Sequence, residues 1–194
     1  MKVFIITDIH GNKESLNKIK EKTEDCNLII CAGDFTIFSN EIDQILGNLN
    51  KIGKPVLLVH GNHEDEDEVK KICNHLENCY FIHKNKFDFG EYVFIGYGGG
   101  GFSFKDHGFE KQVKKFKRWC SGKKCVLVTH APPYGTKIDK IYKEHAGNKS
   151  IRKFIETVKP VLAISGHLHE CVGQDKIGKT IVINPGYKGK VLDI

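Results

Sequence analysis

Five short apolar runs in this sequence each lead into side chains that can ligate metal ions. These side chains are carboxylates, imidazoles and one carboxamide, so all of them offer oxygen or nitrogen and none offers a thiolate. Donors of this kind permit manganese, iron, cobalt, nickel or zinc, and manganese is our first expectation. The potential ligands are Asp8, His10, Asp34, Asn62, His130, His167 and His169.

These ligands suffice for two metal ions if one carboxylate binds both. Two divalent ions need about eight protein ligand bonds, and a bridging Asp34 brings the set to that number. The spacing also fits, because Asp8 and His10 lie two positions apart and can point to the same side of an extended chain. His167 and His169 repeat this spacing. The sequence therefore predicts a site at which two divalent ions activate water for hydrolysis.

The order of the motifs resembles a known family, the calcineurin-like metallophosphoesterases. The family pattern is D-x-H, then G-D, then G-N-H-[DE], then a lone His, then G-H-x-H. In this chain the blocks begin at Asp8, Gly33, Gly61, His130 and Gly166, in that order. Taken singly, D-x-H or G-D is a very weak signal and G-N-H-E is a moderate one, but five ordered blocks at the ends of apolar runs are hard to obtain by chance.

The resemblance implies a role for each residue. One metal ion would be held by Asp8, His10 and His169. The other would be held by Asn62, His130 and His167. Asp34 would bridge the two ions, and His63 would face the substrate. Because His63 follows Asn62 on the same turn, we assign it as the general acid that protonates the leaving oxygen. In related protein phosphatases an acidic residue three positions after the G-D aspartate orients this histidine. Here that position is Ile37, which leaves Glu64 or a backbone carbonyl as the orienting group.

The implied activity is that of a metal-dependent phosphodiesterase acting on a small nucleotide-like phosphodiester through a metal-activated hydroxide. Arg118 and Arg152 are the only arginines, and neither lies in a motif that matches the phosphate-binding arginines of the protein phosphatases. This favours a singly charged diester over a doubly charged monoester. A phosphomonoesterase or a nuclease of the same fold remains an alternative, as does a non-catalytic scaffold of the kind found in the small retromer subunit.

The elements that must position these residues are predicted to be buried strands followed by helices. The apolar runs are short and rich in β-branched residues, as expected for strands covered on both faces. In α/β sheets ligands bind outside the carboxyl ends of parallel strands, so the polar clusters should converge. The resemblance implies a four-layer αββα sandwich of two mixed β-sheets flanked by helices, formed as a single domain by residues 1–194. Helices are predicted near residues 12–22, 40–49, 64–76, 108–120 and 149–158.

Other features indicate where the protein acts and what it binds. The net charge of +6 comes almost entirely from lysine, which favours a solvated coat over a nucleic-acid-reading surface. We therefore expect a small phosphoester as substrate, with nucleic acid possible but not indicated, no membrane contact, and an oligomeric state left open. No signal peptide is recognised, and the seven cysteines form no C-x-x-C pair, so a cytoplasmic protein with reduced thiols is expected. The tail is predicted to form a hairpin around Asn184, Pro185 and Gly186, and His75 and His83 are predicted to be exposed.

Overall fold

The computed structural model describes residues 1–194, which form thirteen strands and five α-helices. The strands are β1 (Lys2–Ile6), β2 (Leu28–Cys31), β3 (Val56–Leu58), β4 (Cys79–Phe81), β5 (Lys86–Phe89), β6 (Tyr92–Tyr97), β7 (Lys124–Thr129), β8 (Lys140–Ile141), β9 (Glu144–His145), β10 (Leu162–Ile164), β11 (Gly173–Ile177), β12 (Thr180–Asn184) and β13 (Lys190–Asp193). The helices are α1 (Lys13–Lys22), α2 (Ile42–Asn50), α3 (Glu66–Cys73), α4 (His107–Cys120) and α5 (Lys149–Val158).

Eleven of the strands form two mixed sheets. The first has the order β13-β1-β2-β3-β4, and the second has the order β11-β12-β10-β7-β6-β5. In the first sheet β1 to β4 are parallel and β13 is antiparallel to β1. In the second sheet the four central strands are parallel, with an antiparallel strand at each edge. Within each sheet the carboxyl ends of the parallel strands therefore lie along one edge.

Alternating side chains divide the apolar interior into three layers. In β1, Val3 and Ile5 belong to a cluster that contains residues of both sheets, whereas Phe4 and Ile6 belong to a cluster shared with α1, α2 and α3. A third cluster joins the second sheet to α4 and α5. Three apolar layers require four layers of secondary structure, so the predicted αββα sandwich is confirmed. The parallel strands read as continuous apolar runs because both of their faces are covered.

Side-chain caps fix where several helices begin. Asn12 accepts a hydrogen bond from the backbone N–H of Ser15 at the start of α1, and Asp65 accepts one from Glu68 at the start of α3. Each cap satisfies one of the backbone donors that a helix leaves free at its first turn. The helices follow the predicted segments closely, although α3 ends at Cys73 rather than near residue 76. None of the five combines the length and the apolar character needed to cross a bilayer.

Two expectations about the tail and the cysteines were wrong. The tail does not form a hairpin, because β12 and β13 lie in different sheets, and β12 pairs instead with β11, a strand that was not predicted. Asn184 and Gly186 do make a turn, in which Gly186 N–H donates to the Asn184 side chain, but that turn carries the chain from one sheet to the other. The thiols are not all reduced either, since Cys120 and Cys125 form a disulfide between α4 and β7. The other five cysteines are free and buried.

Candidate metal centre

The carboxyl ends of five parallel strands meet at one place between the two sheets. The loops that follow β1, β2 and β3 contribute residues from the first sheet, and the loops that follow β7 and β10 contribute residues from the second. All seven predicted metal ligands and His63 lie there. Asp34 is at the centre, because one of its carboxylate oxygens is 3.8 Å from His10 Nε2 and 3.4 Å from His130 Nε2.

The ligands form two groups that share Asp34, and within each group the donor atoms lie within 4.8 Å of one another. In the first group His10 Nε2 and His169 Nε2 face each other at 3.0 Å, and His169 Nε2 is 3.8 Å from Asp8 Oδ1. The second group consists of Asp34, His130 and His167, and the side-chain oxygen of Asn62 lies next to it, 3.1 Å from His130 Nε2 and 2.9 Å from His167 Nδ1. These groups have the composition that the family resemblance implied for the two ions.

The donor set fits divalent ions. His10 Nδ1 lies 3.1 Å from the carbonyl oxygen of Thr36, which can only accept a hydrogen bond, so neutral His10 carries its proton on Nδ1 and offers the lone pair of Nε2 to a cation. Burial lowers the pKa of His10, and burial together with the charge of His130 lowers the pKa of His167 to about 4, which keeps both rings neutral at pH 7. Neutral imidazole is the form that coordinates metals. The four-residue group around Asp34 and the three-residue group around the same carboxylate therefore make a dimetal-like cluster.

The two buried carboxylates have different electrostatic surroundings. Burial raises the pKa of Asp8, and the neighbouring His130 and the backbone N–H of His167 only partly oppose that effect. Asp34 is also buried, but a hydrogen bond and the charge of His130, with a backbone N–H from His63, bring its pKa down to about 2. His130 correspondingly has a raised pKa, because its contact with Asp34 outweighs its burial. Asp34 is thus the carboxylate most firmly held in the ionised form that can bridge two cations.

Four of the predicted ligands lie on backbone that few residues adopt. Asp8, His10, Asp34 and His167 have φ values of 53°, 45°, 50° and 71°, in the left-handed region. For residues other than glycine this conformation costs about 1–3 kcal/mol each when the surroundings impose it, and it is concentrated at functional sites. These residues lie two to four positions after the ends of β1, β2 and β10, so the unusual backbone is confined to the loops that carry the predicted ligands.

Glycines allow the loops to approach one another closely. A Cβ at Gly61 would overlap Asp34 Oδ1, and a Cβ at Gly166 would overlap the Thr7 hydroxyl. The first contact joins the loops that follow β2 and β3 in the first sheet, and the second joins the loop that follows β1 to the loop that follows β10, across the two sheets. Glycine is required at both positions for a steric reason, independently of any ligand.

His63 lies beside the cluster and is not one of its ligands. Its backbone N–H donates to Asp34 Oδ1 at 2.9 Å, and its ring packs at 4.7 Å between centroids against His10. His63 Nδ1 is buried without a hydrogen-bond partner. The ring also contacts Phe38 at a centroid distance of 4.6 Å.

One sequence-based alternative was that Glu64 orients His63, but the Glu64 carboxylate is bound by other groups. Its carboxylate accepts hydrogen bonds from the backbone N–H groups of Asp34, Thr36 and Gly61 and from the Thr36 hydroxyl, at 2.8 to 3.0 Å. Four donors saturate both oxygens. Glu64 therefore holds the loops of two ligands, Asp34 and Asn62, at a fixed distance from each other. The sequence carried a signal for this role, since an acidic residue ends the G-N-H-E block.

A second cluster of polar side chains lies behind the centre. His60, Glu66 and His83 have donor atoms within 4.8 Å of one another, and His83 is buried, contrary to the prediction that it is exposed. The backbone N–H of Gly98 donates to His83 Nδ1 at 2.7 Å, so that nitrogen has no proton. In a neutral imidazole the proton is then on Nε2, which faces Glu66 at 3.2 Å and cannot bind a metal in that form. This cluster is a packed support for the loop that carries Asn62.

Comparisons with known proteins agree with the fold and the cluster. A family model described as calcineurin-like phosphoesterase matches residues 1–171. The chain is 32% identical to an uncharacterized protein, MJ1162, of Methanocaldococcus jannaschii, over 97% of this chain and 89% of that protein. A dimetal phosphatase from Danio rerio is 10% identical, with a TM-score of 0.70 over 95% of this chain and 86% of that one. A structure described as a novel archaeal phosphodiesterase is 18% identical, with a TM-score of 0.53 over 96% and 84% of the two chains. At these identities the two structures show likeness of fold only.

Proposed function

Because this chain belongs to the calcineurin-like phosphoesterase family, we propose that it is a metal-dependent phosphodiesterase that hydrolyses a small phosphodiester. Solved structures of the same fold include both a phosphatase and a phosphodiesterase, so the fold does not decide between the two substrates. The decision has to come from the charges that would surround the phosphoryl group.

The observation that carries the proposal is the position of the arginines. Arg152 is on α5, where its guanidinium donates to the carbonyl oxygens of Tyr134 and Gly135 and to the carboxylate of Glu156. Arg118 is on α4, on the outer layer of the sandwich. Neither guanidinium is available to bind a phosphoryl oxygen at the centre. A phosphomonoester carries two negative charges near pH 7 and a diester carries one, so a site without arginine suits the diester better.

The residues of the centre divide the chemistry between them. Asp8, His10, Asp34 and His169 would hold one divalent ion, and Asp34 with Asn62, His130 and His167 would hold the other. When bound, such ions lower the pKa of water and neutralise charge on phosphoryl oxygens. Manganese is the proposed metal, because the donors are imidazole, carboxylate and carboxamide. His63 Nε2 would donate a proton to the departing oxygen, so that the alcohol leaves in its neutral form.

Turnover of matched p-nitrophenyl esters tests the proposal. With Mn²⁺ supplied, bis-p-nitrophenyl phosphate should be hydrolysed faster than p-nitrophenyl phosphate, and a chelator should abolish both reactions. Asp34→Asn should be inactive, whereas His75→Ala, which removes an exposed histidine two residues after α3, should match the wild type. Monoester turnover that exceeds diester turnover by tenfold, equivalent to about 1.4 kcal/mol in the transition state, would replace the diesterase assignment with a phosphomonoesterase.

A further inference from the structure

Two phenylalanine rings are exposed at the metal centre. Phe38 is 78% exposed and Phe102 is 64% exposed. Each packs against a histidine of the site: Phe38 lies 4.6 Å from His63, and Phe102 lies 4.8 Å from His167, between ring centroids. A solvated phenylalanine forgoes the stabilisation that burial of its ring would give. An exposed ring beside a binding site is therefore a surface available to a ligand.

The backbone holds Phe38 in this exposed position. Phe38 and Ser39 have φ values of 49° and 58°, a left-handed conformation that is unfavourable for both residues. Ser39 N–H donates to the carbonyl oxygen of His63 and to the Thr36 hydroxyl, and Thr36 is bound in turn by Glu64. These hydrogen bonds thus connect the loop of Phe38 to His63. The strained backbone of that loop holds the Phe38 ring in its exposed position.

The run of glycines from Gly98 to Gly101 explains the position of Phe102. A Cβ at Gly98 would overlap the carbonyl oxygen of His60, and Gly99 and Gly100 have φ values of 70° and 84°. Only a chain without side chains can pass so close to the strand end that carries His60. This close path delivers Phe102 directly onto His167, so the glycines serve to place an aromatic ring rather than to cradle a phosphate.

The two rings lie at the outer ends of two rows of histidines. One row runs from Phe38 through His63 to His10, with neighbouring centroids 4.6 and 4.7 Å apart. The other runs from Phe102 through His167 to His130, with neighbouring centroids 4.8 and 5.2 Å apart. The first row contains a residue of one ligand group and the second contains residues of the other. A phosphoryl group bound between the groups would therefore have an aromatic wall on each side.

We infer that Phe38 and Phe102 are specificity-determining residues that stack a planar ring of the substrate, and that the substrate class is a phosphodiester of a nucleoside. This inference rests on the proposed phosphodiesterase function. A diester has a substituent on each side of its phosphorus, and a nucleobase has a π-face that stacks on phenylalanine whatever the base. Stacking by an aromatic side chain also explains how a site without arginine can recognise a part of the ligand other than its phosphate.

Two esters with the same leaving group isolate the contribution of the base. They are thymidine 5′-(4-nitrophenyl phosphate) and methyl 4-nitrophenyl phosphate, compared by kcat/KM with Mn²⁺ present. The wild type should prefer the thymidine ester by about tenfold or more, the value of one stacked base. In the double variant Phe38→Ala/Phe102→Ala the ratio should fall close to one. The double variant Phe38→Tyr/Phe102→Tyr should keep the preference, and Tyr80→Ala, which removes an exposed aromatic ring on β4, should leave the ratio unchanged.

A binding measurement separates this inference from the proposed function. Calorimetry should show that thymidine 5′-monophosphate binds the metal-loaded wild type at least about tenfold more tightly than deoxyribose 5-phosphate, and that the alanine double variant loses the difference. If neither ester is hydrolysed but the base still tightens binding, the phosphodiesterase function fails and the stacking role stands. A wild-type ratio near one would overturn the inference. So would a double variant that loses activity on both esters equally, because the rings would then only position His63 and His167.

Discussion

Replacement of Glu64 by glutamine tests whether the loops of the centre are held by one buried carboxylate. The change keeps the size of the side chain and removes its charge. Glu64 accepts two hydrogen bonds at each oxygen: Oε2 accepts from the N–H groups of Asp34 and Gly61, and Oε1 accepts from the N–H and hydroxyl of Thr36. Glutamine offers one acceptor oxygen, and its amide group would face a backbone N–H in either orientation.

The expected loss of stability follows from these four bonds. The better orientation turns the amide group toward Thr36, whose hydroxyl can rotate to accept, so one buried N–H is left unpaired at a cost of about 1–3 kcal/mol. The two bonds that remain change from charge-assisted to neutral and weaken by about 1 kcal/mol each. Burial raises the pKa of Glu64, which means that the charge itself is costly to bury, and its removal offsets part of the loss. Glu64→Gln should therefore destabilise the fold by about 2–4 kcal/mol.

Urea denaturation in the presence of EDTA measures this change without a contribution from bound metal. The single tryptophan, Trp119, reports unfolding by its fluorescence. Glu77→Gln, a change at an exposed glutamate, is the matched control and should lie within about 0.5 kcal/mol of the wild type. Glu64→Gln should also bind less metal, because the loops of Asp34 and Asn62 lose the group that fixes their separation. Wild-type stability together with wild-type metal content in Glu64→Gln would refute the bracing role.

Three further predictions concern the ligands, the general acid and a buried histidine. Asp34→Ala should lose both metal ions, whereas His10→Ala should mainly weaken one, and elemental analysis that finds about two ions per chain in Asp34→Ala would contradict the bridge. His63→Ala should retain its metal and depend more steeply on leaving-group pKa, since general acid catalysis is worth about 10²–10⁴-fold for poor leaving groups; an equal loss for all leaving groups would argue for phosphate positioning instead. Burial lowers the pKa of His83 from 6.5 to about 2, so below pH 6.5 the unfolded chain binds a proton that the folded chain does not. As pH drops from 6.5 to 5 this residue should lower stability by about 1.6 kcal/mol in total, with a slope that rises toward about 1.4 kcal/mol per pH unit, and His83→Gln should reduce the slope of urea stability against pH; an unchanged slope would show that His83 is protonated when folded.

The parts of the structure that could be predicted from the sequence are those with a strong local signal. The central strands are covered on both faces, so β1, β2 and β10 read as uninterrupted apolar runs, and the polar residues after them had to converge at one edge of a sheet. The seven proposed ligands could be picked out for the same reason, and the structure brings their side chains together. The family pattern then added their division between two ions, which spacing alone did not give.

The parts that could not be predicted depend on pairing between distant segments. In β11 only Ile177 is buried, so the strand has no apolar periodicity to detect. The partner of β13 is β1, at the other end of the chain, where the N-terminal amine also contacts Asp193. The turn signal around Asn184 was real, but a turn does not determine which strands pair across it. The exposed positions of Phe38 and Phe102 likewise follow from backbone conformation, which residue type alone does not reveal.

Because the proposed ligands come from both sheets, the geometry of the centre depends on how the two sheets are aligned with each other. Asp8 and Asp34 move with the first sheet, and His130 and His167 move with the second. A volume change at Leu162 or Phe94, in the layer between the sheets, would slide one half against the other and alter the metal site without touching a ligand. A change of the same volume in either outer layer would shift a helix instead. Selection for activity should therefore constrain the residues of the middle layer. In a library of core substitutions ranked by metal affinity, substitutions in the middle apolar layer should lower the affinity more than those in either outer layer.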